Sequence, residues 1–144
     1  MLCAYKINEL FKKGGTMSTL STDKPLVYAC SGCSNVAQLA NDVALTLDRT
    51  GVMQMSCIAG VGGNIKSIVK LAQSGRPILA LDGCKLNCVK QSLALQKITP
   101  TWHIEITQLG YKKQEQVDCD LADSYRLLQY IYQTTLHTSP SKLN

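Results

Sequence analysis

The sequence predicts a three-layer α/β fold, in which a four-stranded, mostly parallel sheet of order 2-1-3-4 has helices on both faces. Short apolar runs alternate along the chain with segments of helical periodicity, which is typical of successive strand–helix–strand units. Two of the four apolar runs are unbroken, as in strands that are covered on both faces, so we expect these two at the centre. The other two runs alternate polar with apolar residues and are therefore expected at the edges.

The first half of the chain is predicted to form two strands and two helices. The unbroken apolar run at 26–29 is the first strand, and apolar residues at helical spacing over 36–47 indicate the first helix. The second strand covers 52–59, where the residue types alternate. A tight glycine-rich turn at 60–63 then leads into a helix that begins after Asn64, because asparagine is a favoured N-cap residue.

The second half of the chain continues the alternation. Residues 78–81 form the third strand, which is again an unbroken apolar run, and a helix follows over about 86–97. The alternation over 102–107 predicts the fourth strand. A last helix is expected over about 121–136.

The length of 144 residues suits one domain. Residues 1–24 contain a polar, glycine-containing stretch and are predicted to be an N-terminal extension or linker, and 25–138 to be a single α/β domain. No apolar run approaches the roughly 18 residues of a membrane span, and no signal peptide is recognisable. We therefore expect a cytoplasmic protein without membrane contact.

The net charge of +5 does not indicate a nucleic-acid partner. The basic residues are spread along the chain, and adjacent lysines occur only as Lys12 with Lys13 and Lys112 with Lys113. No aromatic residues interleave with a basic stripe, so these lysines are interpreted as solvated surface residues. The sequence points to no particular partner.

Seven cysteines are unusual in a chain of this composition, because it needs no disulfide framework to fold. Cys30 and Cys33 directly follow the first strand, and Cys84 and Cys88 follow the third. Cys57 is placed near the end of the second strand. Since parallel strands end at the same edge of a sheet, five thiols are expected at the carboxyl edge, where open α/β sheets place their sites.

Thiols at helix N-termini tend to ionise, and thiolates are both nucleophiles and metal ligands. One zinc ion takes four sulfur ligands, so the two pairs on neighbouring strands are candidate ligands, with Cys57 left over as an additional free thiol. Two alternatives use the same residues. The Cys30–Cys33 pair could serve a thiol–disulfide or sulfur-transfer enzyme, or the four thiolates could hold an iron–sulfur cluster. Cys3 and Cys119 are expected to be structural.

The segments CSGCSN, MSCIAGVGG and LDGCKLNC, in this order at strand ends, resemble the DGC-domain family, which is named for its Asp-Gly-Cys sequence. The resemblance runs from about Pro25 to Tyr111. It implies Zn²⁺ as the cofactor, held by four cysteines that correspond here to Cys30, Cys33, Cys84 and Cys88. It implies no particular reaction.

Three other polar residues are weaker candidates for the site. Asp82 is expected to cap the helix that follows it, or to support the thiol site from a second layer. His103 is predicted to point outward from an edge strand and His137 to lie in a polar tail, so neither is expected to be a ligand.

Overall fold

Residues 24–136 are described by a computed structural model, and their sheet has the predicted order, 2-1-3-4, with every neighbouring pair parallel. The strands are β1 (Leu26–Ala29), β2 (Gln54–Met55), β3 (Ile78–Asp82) and β4 (Trp102–Glu105). Most of the expected extension at 1–24, together with His137, lies outside the described residues.

Helices fill the intervals between the strands and follow the last strand. They are α1 (Asn35–Arg49), α2 (Ile58–Gly62), α3 (Lys66–Ala72), α4 (Cys88–Leu95) and α5 (Leu121–Ile131). A 3₁₀ turn at Ile106–Leu109 follows β4, and a π turn at Tyr132–Leu136 ends the described part of the chain. None of the helices in 24–136 is both long and apolar enough to cross a membrane.

Two apolar cores cover the two faces of the sheet, which confirms the three-layer prediction. Every residue of β1 and β3 is buried. Val27 and Leu79 belong to the core that β1 and β3 share with α1 and α5, whereas Leu26 and Ile78 belong to the core that includes residues of α2, α3 and α4. The two central strands pair over four residues, with Leu26 opposite Ile78. Their carboxyl ends therefore occupy a fixed position between the two helix layers.

The second strand is shorter than predicted, because the chain turns into a helix where the alternation suggests a continued strand. β2 pairs with β1 over two residues, and the Ser56 N–H donates to the Val27 carbonyl at 3.1 Å before α2 begins. The predicted turn at 60–63 is also wrong, since most of this segment belongs to α2. A Cβ on Gly60 would collide with the Ile68 side chain, so the glycine allows α2 to pack against α3.

The start of α3 also differs from the prediction. Asn64 has φ +57°, the left-handed conformation that asparagine tolerates better than most residues, and Ile65 is the residue that precedes the helix. Asn64 therefore turns the chain between α2 and α3 rather than capping α3 itself.

Candidate functional site

The four paired cysteines line one cavity of about 300 Å³ at the carboxyl end of the two central strands. Cys30 and Cys33 lie between β1 and α1. Cys84 follows β3, and Cys88 is the first residue of α4. Cys30 and Cys84 are half-buried, whereas Cys33 and Cys88 are exposed, and all four are free thiols. The structure thus brings the four predicted thiols to one place.

Gly83 sets how closely the two cysteine loops approach each other. A Cβ on this residue would lie 2.9 Å from the backbone nitrogen of Ala37 and 3.0 Å from the carbonyl carbon of Val36. These are backbone atoms in the first turn of α1, so they have little freedom to move aside. The glycine between Asp82 and Cys84 therefore allows the loop after β3 to pack directly against the helix that follows Cys33.

The position of Cys30 is fixed by the same sheet edge. Its N–H donates to the Leu81 carbonyl at 2.9 Å, which continues the hydrogen bonding between the central strands by one residue. Burial raises the pKa of the Cys30 thiol above its usual value, and a hydrogen bond from the Gly83 backbone opposes this in part. Cys88, Asp82 and Cys84 raise that pKa further, because negative charges at these groups repel a Cys30 thiolate. A positive charge at this edge would therefore favour the Cys30 thiolate.

The four thiols line the same cavity, but their side chains do not form a coordination sphere. Across residues 24–136, no three Cys, His, Asp or Glu side chains are arranged so that they could hold one metal ion. Cys57 is exposed and precedes α2, and it does not line the cavity, although the next residue, Ile58, does. Cys57 therefore lies outside the cavity that the four paired thiols line.

Asp82 caps α4, as predicted. Its carboxylate is buried, and its two oxygens accept hydrogen bonds from the N–H groups of Val89 at 2.7 Å and Lys90 at 3.2 Å. These N–H groups lie in the first turn of the helix that begins with Cys88, so the carboxylate fixes the start of that helix. Asp82 thereby fixes the start of the helix that carries Cys88, without lining the cavity.

The prediction that His103 points outward is wrong. Its side chain is about one-fifth exposed, and Nε2 lies 2.9 Å from Oδ2 of Asp82. The reason is the parallel register: Ala80 lies opposite His103, so Asp82, two residues along on the same face, is its diagonal neighbour. The sequence alternation locates His103 on a strand but contains no information about this register.

The segment after the 3₁₀ turn closes one side of the cavity, and sequence analysis missed it. We call residues 110–119 the strap. Asn35, which is buried, donates from its Nδ2 to the Lys112 carbonyl at 3.0 Å and accepts at Oδ1 from the Gln114 N–H at 2.7 Å. The Asn35 N–H also donates to the Gln114 carbonyl at 3.0 Å, and the Cys119 thiol donates to the Asn35 carbonyl at 3.4 Å.

Through these bonds the strap brings Lys113 to the thiol cavity, where it is a lining residue. Asn35 is the last residue of the CSGCSN segment, next to the Ser34 that caps α1, but the segment gives no signal of the bonds to the strap. Lys113 itself gave no signal beyond its place in a lysine pair. Cys119 is half-buried against Asn35, which agrees with the structural role expected for it.

Comparisons with known proteins place the chain in a family. The family model described as "DGC domain" matches residues 26–131, so the match continues beyond Tyr111 and includes α5. The chain is 60% identical over 103 residues to the protein named "Anaerobic and virulence modulator AnvM" of Pseudomonas aeruginosa, an alignment that covers 72% of this chain and 79% of that protein. No solved structure matches. Two residues of its Asp-Gly-Cys sequence, Gly83 and Cys84, line the cysteine cavity, and this chain belongs to the DGC-domain family.

Proposed function

We propose that this chain is a small cytoplasmic zinc-binding protein that holds one Zn²⁺ through Cys30, Cys33, Cys84 and Cys88. The observation that carries the proposal is that all four thiols line one cavity, although they come from two loops that are distant in sequence. Four thiolates are a preferred ligand set for zinc.

The residues around the cavity fit such an ion in their chemistry. No carboxylate lines the cavity within the described part of the chain, so sulfur is the donor type that it offers. Cys33 and Cys88 are exposed and have room to turn toward the half-buried Cys30 and Cys84 when an ion binds. A divalent cation would also favour the Cys30 thiolate, because it would counter the effects of burial and of the neighbouring Cys88, Asp82 and Cys84 that raise the pKa of this thiol. Bound there, zinc would hold the two loops together and keep the thiols deprotonated.

The name of the Pseudomonas relative describes a modulator, and we propose a role of that class for this chain as well. A metal–thiolate site suits such a role because ion binding changes the charge and position of two exposed loops. The two alternatives considered above use the same cysteines. In the thiol–disulfide alternative, burial raises the pKa of the Cys30 thiol and so disfavours its thiolate, whereas Cys33 of the same pair is exposed. An iron–sulfur cluster would use the same four sulfurs and is distinguished by metal content.

Metal analysis of the anaerobically purified full chain tests the proposal. We expect one zinc per chain, no visible absorption, and loss of stoichiometric zinc in each of Cys30→Ser, Cys33→Ser, Cys84→Ser and Cys88→Ser. Cys119→Ser is the matched control, because it removes a half-buried thiol outside the cavity and should retain the metal. A brown protein containing iron would favour the cluster. Zinc content that is the same in all five variants would refute the ligand assignment.

A further inference from the structure

Lys113 is the charged residue among those that line the thiol cavity. The flanking residues of the strap fix its backbone, since Asn35 bonds to the carbonyl of Lys112 and to both backbone groups of Gln114. An antiparallel bridge between Ser34 and Glu115 adds a further connection to the loop that carries Cys33. The lysine side chain is exposed, so it keeps its ammonium in contact with water while it lines the cavity.

The position of Lys113 matters because the proposed zinc–thiolate site would be negatively charged. Four thiolates and one Zn²⁺ carry a net charge of about −2. The rest of the cavity wall is built of uncharged residues, namely serines, glycines and apolar side chains. Among residues 24–136, the wall therefore supplies one ionic group of opposite sign, and that group belongs to the strap rather than to either cysteine loop.

We propose that Lys113 is the charge-balancing residue of the thiol cavity, where its ammonium stabilises the zinc–thiolate form and slows release of the ion. The inference rests on the proposed function, because it needs the four thiols to be ionised around a metal. The inference goes further than the proposed function because it assigns a role in metal affinity to the strap. The one cysteine of the strap, Cys119, does not line the cavity. Through Asn35, the position of the strap and the affinity for the ion are coupled.

Zinc affinity of the full chain, measured by competition with a chromophoric chelator, tests the role of Lys113. We expect Lys113→Met to weaken zinc binding about 5- to 20-fold and Lys113→Glu to weaken it more, whereas Lys113→Arg stays within about 2-fold of wild type, because a charge near a half-exposed site acts through a partly aqueous medium. Lys112→Met is the matched control, since its side chain does not line the cavity and its backbone bond to Asn35 is retained.

Salt distinguishes an electrostatic role from a packing role. Raising the ionic strength from 0.05 to about 0.5 M should shrink the difference between wild type and Lys113→Met, because the Debye length shortens. The rate of zinc transfer to the chelator should rise in parallel with the loss of affinity. If Lys113→Met binds zinc as tightly as Lys112→Met, or if Lys113→Arg is as weak as Lys113→Met, the inference is wrong while the proposed function stands. A wild-type chain that takes up no zinc would instead refute the proposed function itself.

Discussion

The imidazole of His103 donates from Nε2 to the buried Oδ2 of Asp82 at 2.9 Å, across the junction between β3 and the edge strand β4. The same carboxylate accepts two N–H groups from the first turn of α4. His103 is therefore one of three hydrogen-bond partners of a buried carboxylate, and the other two lie at the start of the helix that carries Cys88. An edge-strand residue is in this way connected to the cysteine site through one side chain.

Replacing His103 by alanine should destabilise the domain by about 1–2 kcal/mol, because a buried charged acceptor loses one of its donors. His103→Gln should recover much of this loss, since the amide N–H₂ can reach the same oxygen. Denaturant unfolding of the metal-free chain gives the difference. Equal stability of His103→Ala and wild type would mean that water replaces the imidazole at no cost.

Substitution of Gly83 by alanine should cost about 2–3 kcal/mol in unfolding free energy and should separate the two cysteine loops, because the added Cβ meets backbone atoms of α1. Gly32→Ala is the matched control in the other loop, where the nearest atom to an added Cβ is 3.8 Å away. The comparison needs chemical denaturation of both variants together with their zinc content. A Gly83→Ala chain that is as stable as Gly32→Ala would contradict the close-approach argument.

Asn35→Ala should loosen the strap, since the side chain supplies bonds to both Lys112 and Gln114, whereas the backbone bonds of Asn35 to the strap remain. We expect amide hydrogen exchange in 112–119 to accelerate by at least about 10-fold, the equivalent of about 1.4 kcal/mol, while exchange in β1 and β3 changes less. Asn41→Ala, on the same helix, serves as the control. Uniform acceleration throughout the domain would indicate global destabilisation instead of local release.

Cys57 should react with iodoacetamide at the same rate in the zinc-loaded and metal-free chain, because it is exposed and lies outside the cavity. Cys33 and Cys88, which are also exposed, should be protected only when zinc is present. Peptide mass spectrometry reads all three sites in one sample, with Cys57 as the internal reference. Zinc-dependent protection of Cys57 would make it a ligand and displace one of the four proposed here.

The stability of the domain should fall as the pH rises through about 10. Burial raises the pKa of the Tyr28 phenol, and the Ser56 hydroxyl and Arg76 offset this only in part. The folded state therefore keeps a proton that the unfolded chain releases near pH 10, so the contribution is complete below that pH and is lost above it. Tyr28→Phe should flatten the decline between pH 9.5 and about 11, and Tyr125→Phe, at an exposed tyrosine, should leave it unchanged.

The sheet could be predicted from sequence because its central strands have a strong local signal. The residues of β1 and β3 are apolar, apart from Asp82 at the end of β3. The strands have this composition because both of their faces are buried. Strand order and the grouping of the four thiols followed from the same pattern, since the loops after adjacent parallel strands end at one edge. The extent of β2 did not follow, because its pairing with β1 stops after two residues and α2 begins at Ile58, where the residue pattern still suggests a strand.

The residues that sequence analysis missed depend on contacts between distant segments. His103 meets Asp82 only through the register of β3 and β4, and Asn35 meets Gln114 across 79 positions of the chain. Neither relationship leaves a periodicity or a local spacing in the sequence. Gly60 is a similar case. A larger residue at this position would collide with the side chain of Ile68 in the next helix, and this contact is not visible in the sequence.

The four-residue pairing of β1 with β3 has a consequence for the kinetics of ion exchange. Pairing of β1 with β3 already brings the loops that follow these strands to one edge, so an ion that links the two loops meets little additional loop-closure entropy. The domain is thus preorganised for uptake, and an ion would enter or leave through local rotation of exposed thiol side chains. Exchange should then proceed with the central strands paired throughout, at a rate set by breaking the metal–thiolate bonds rather than by unfolding of the sheet.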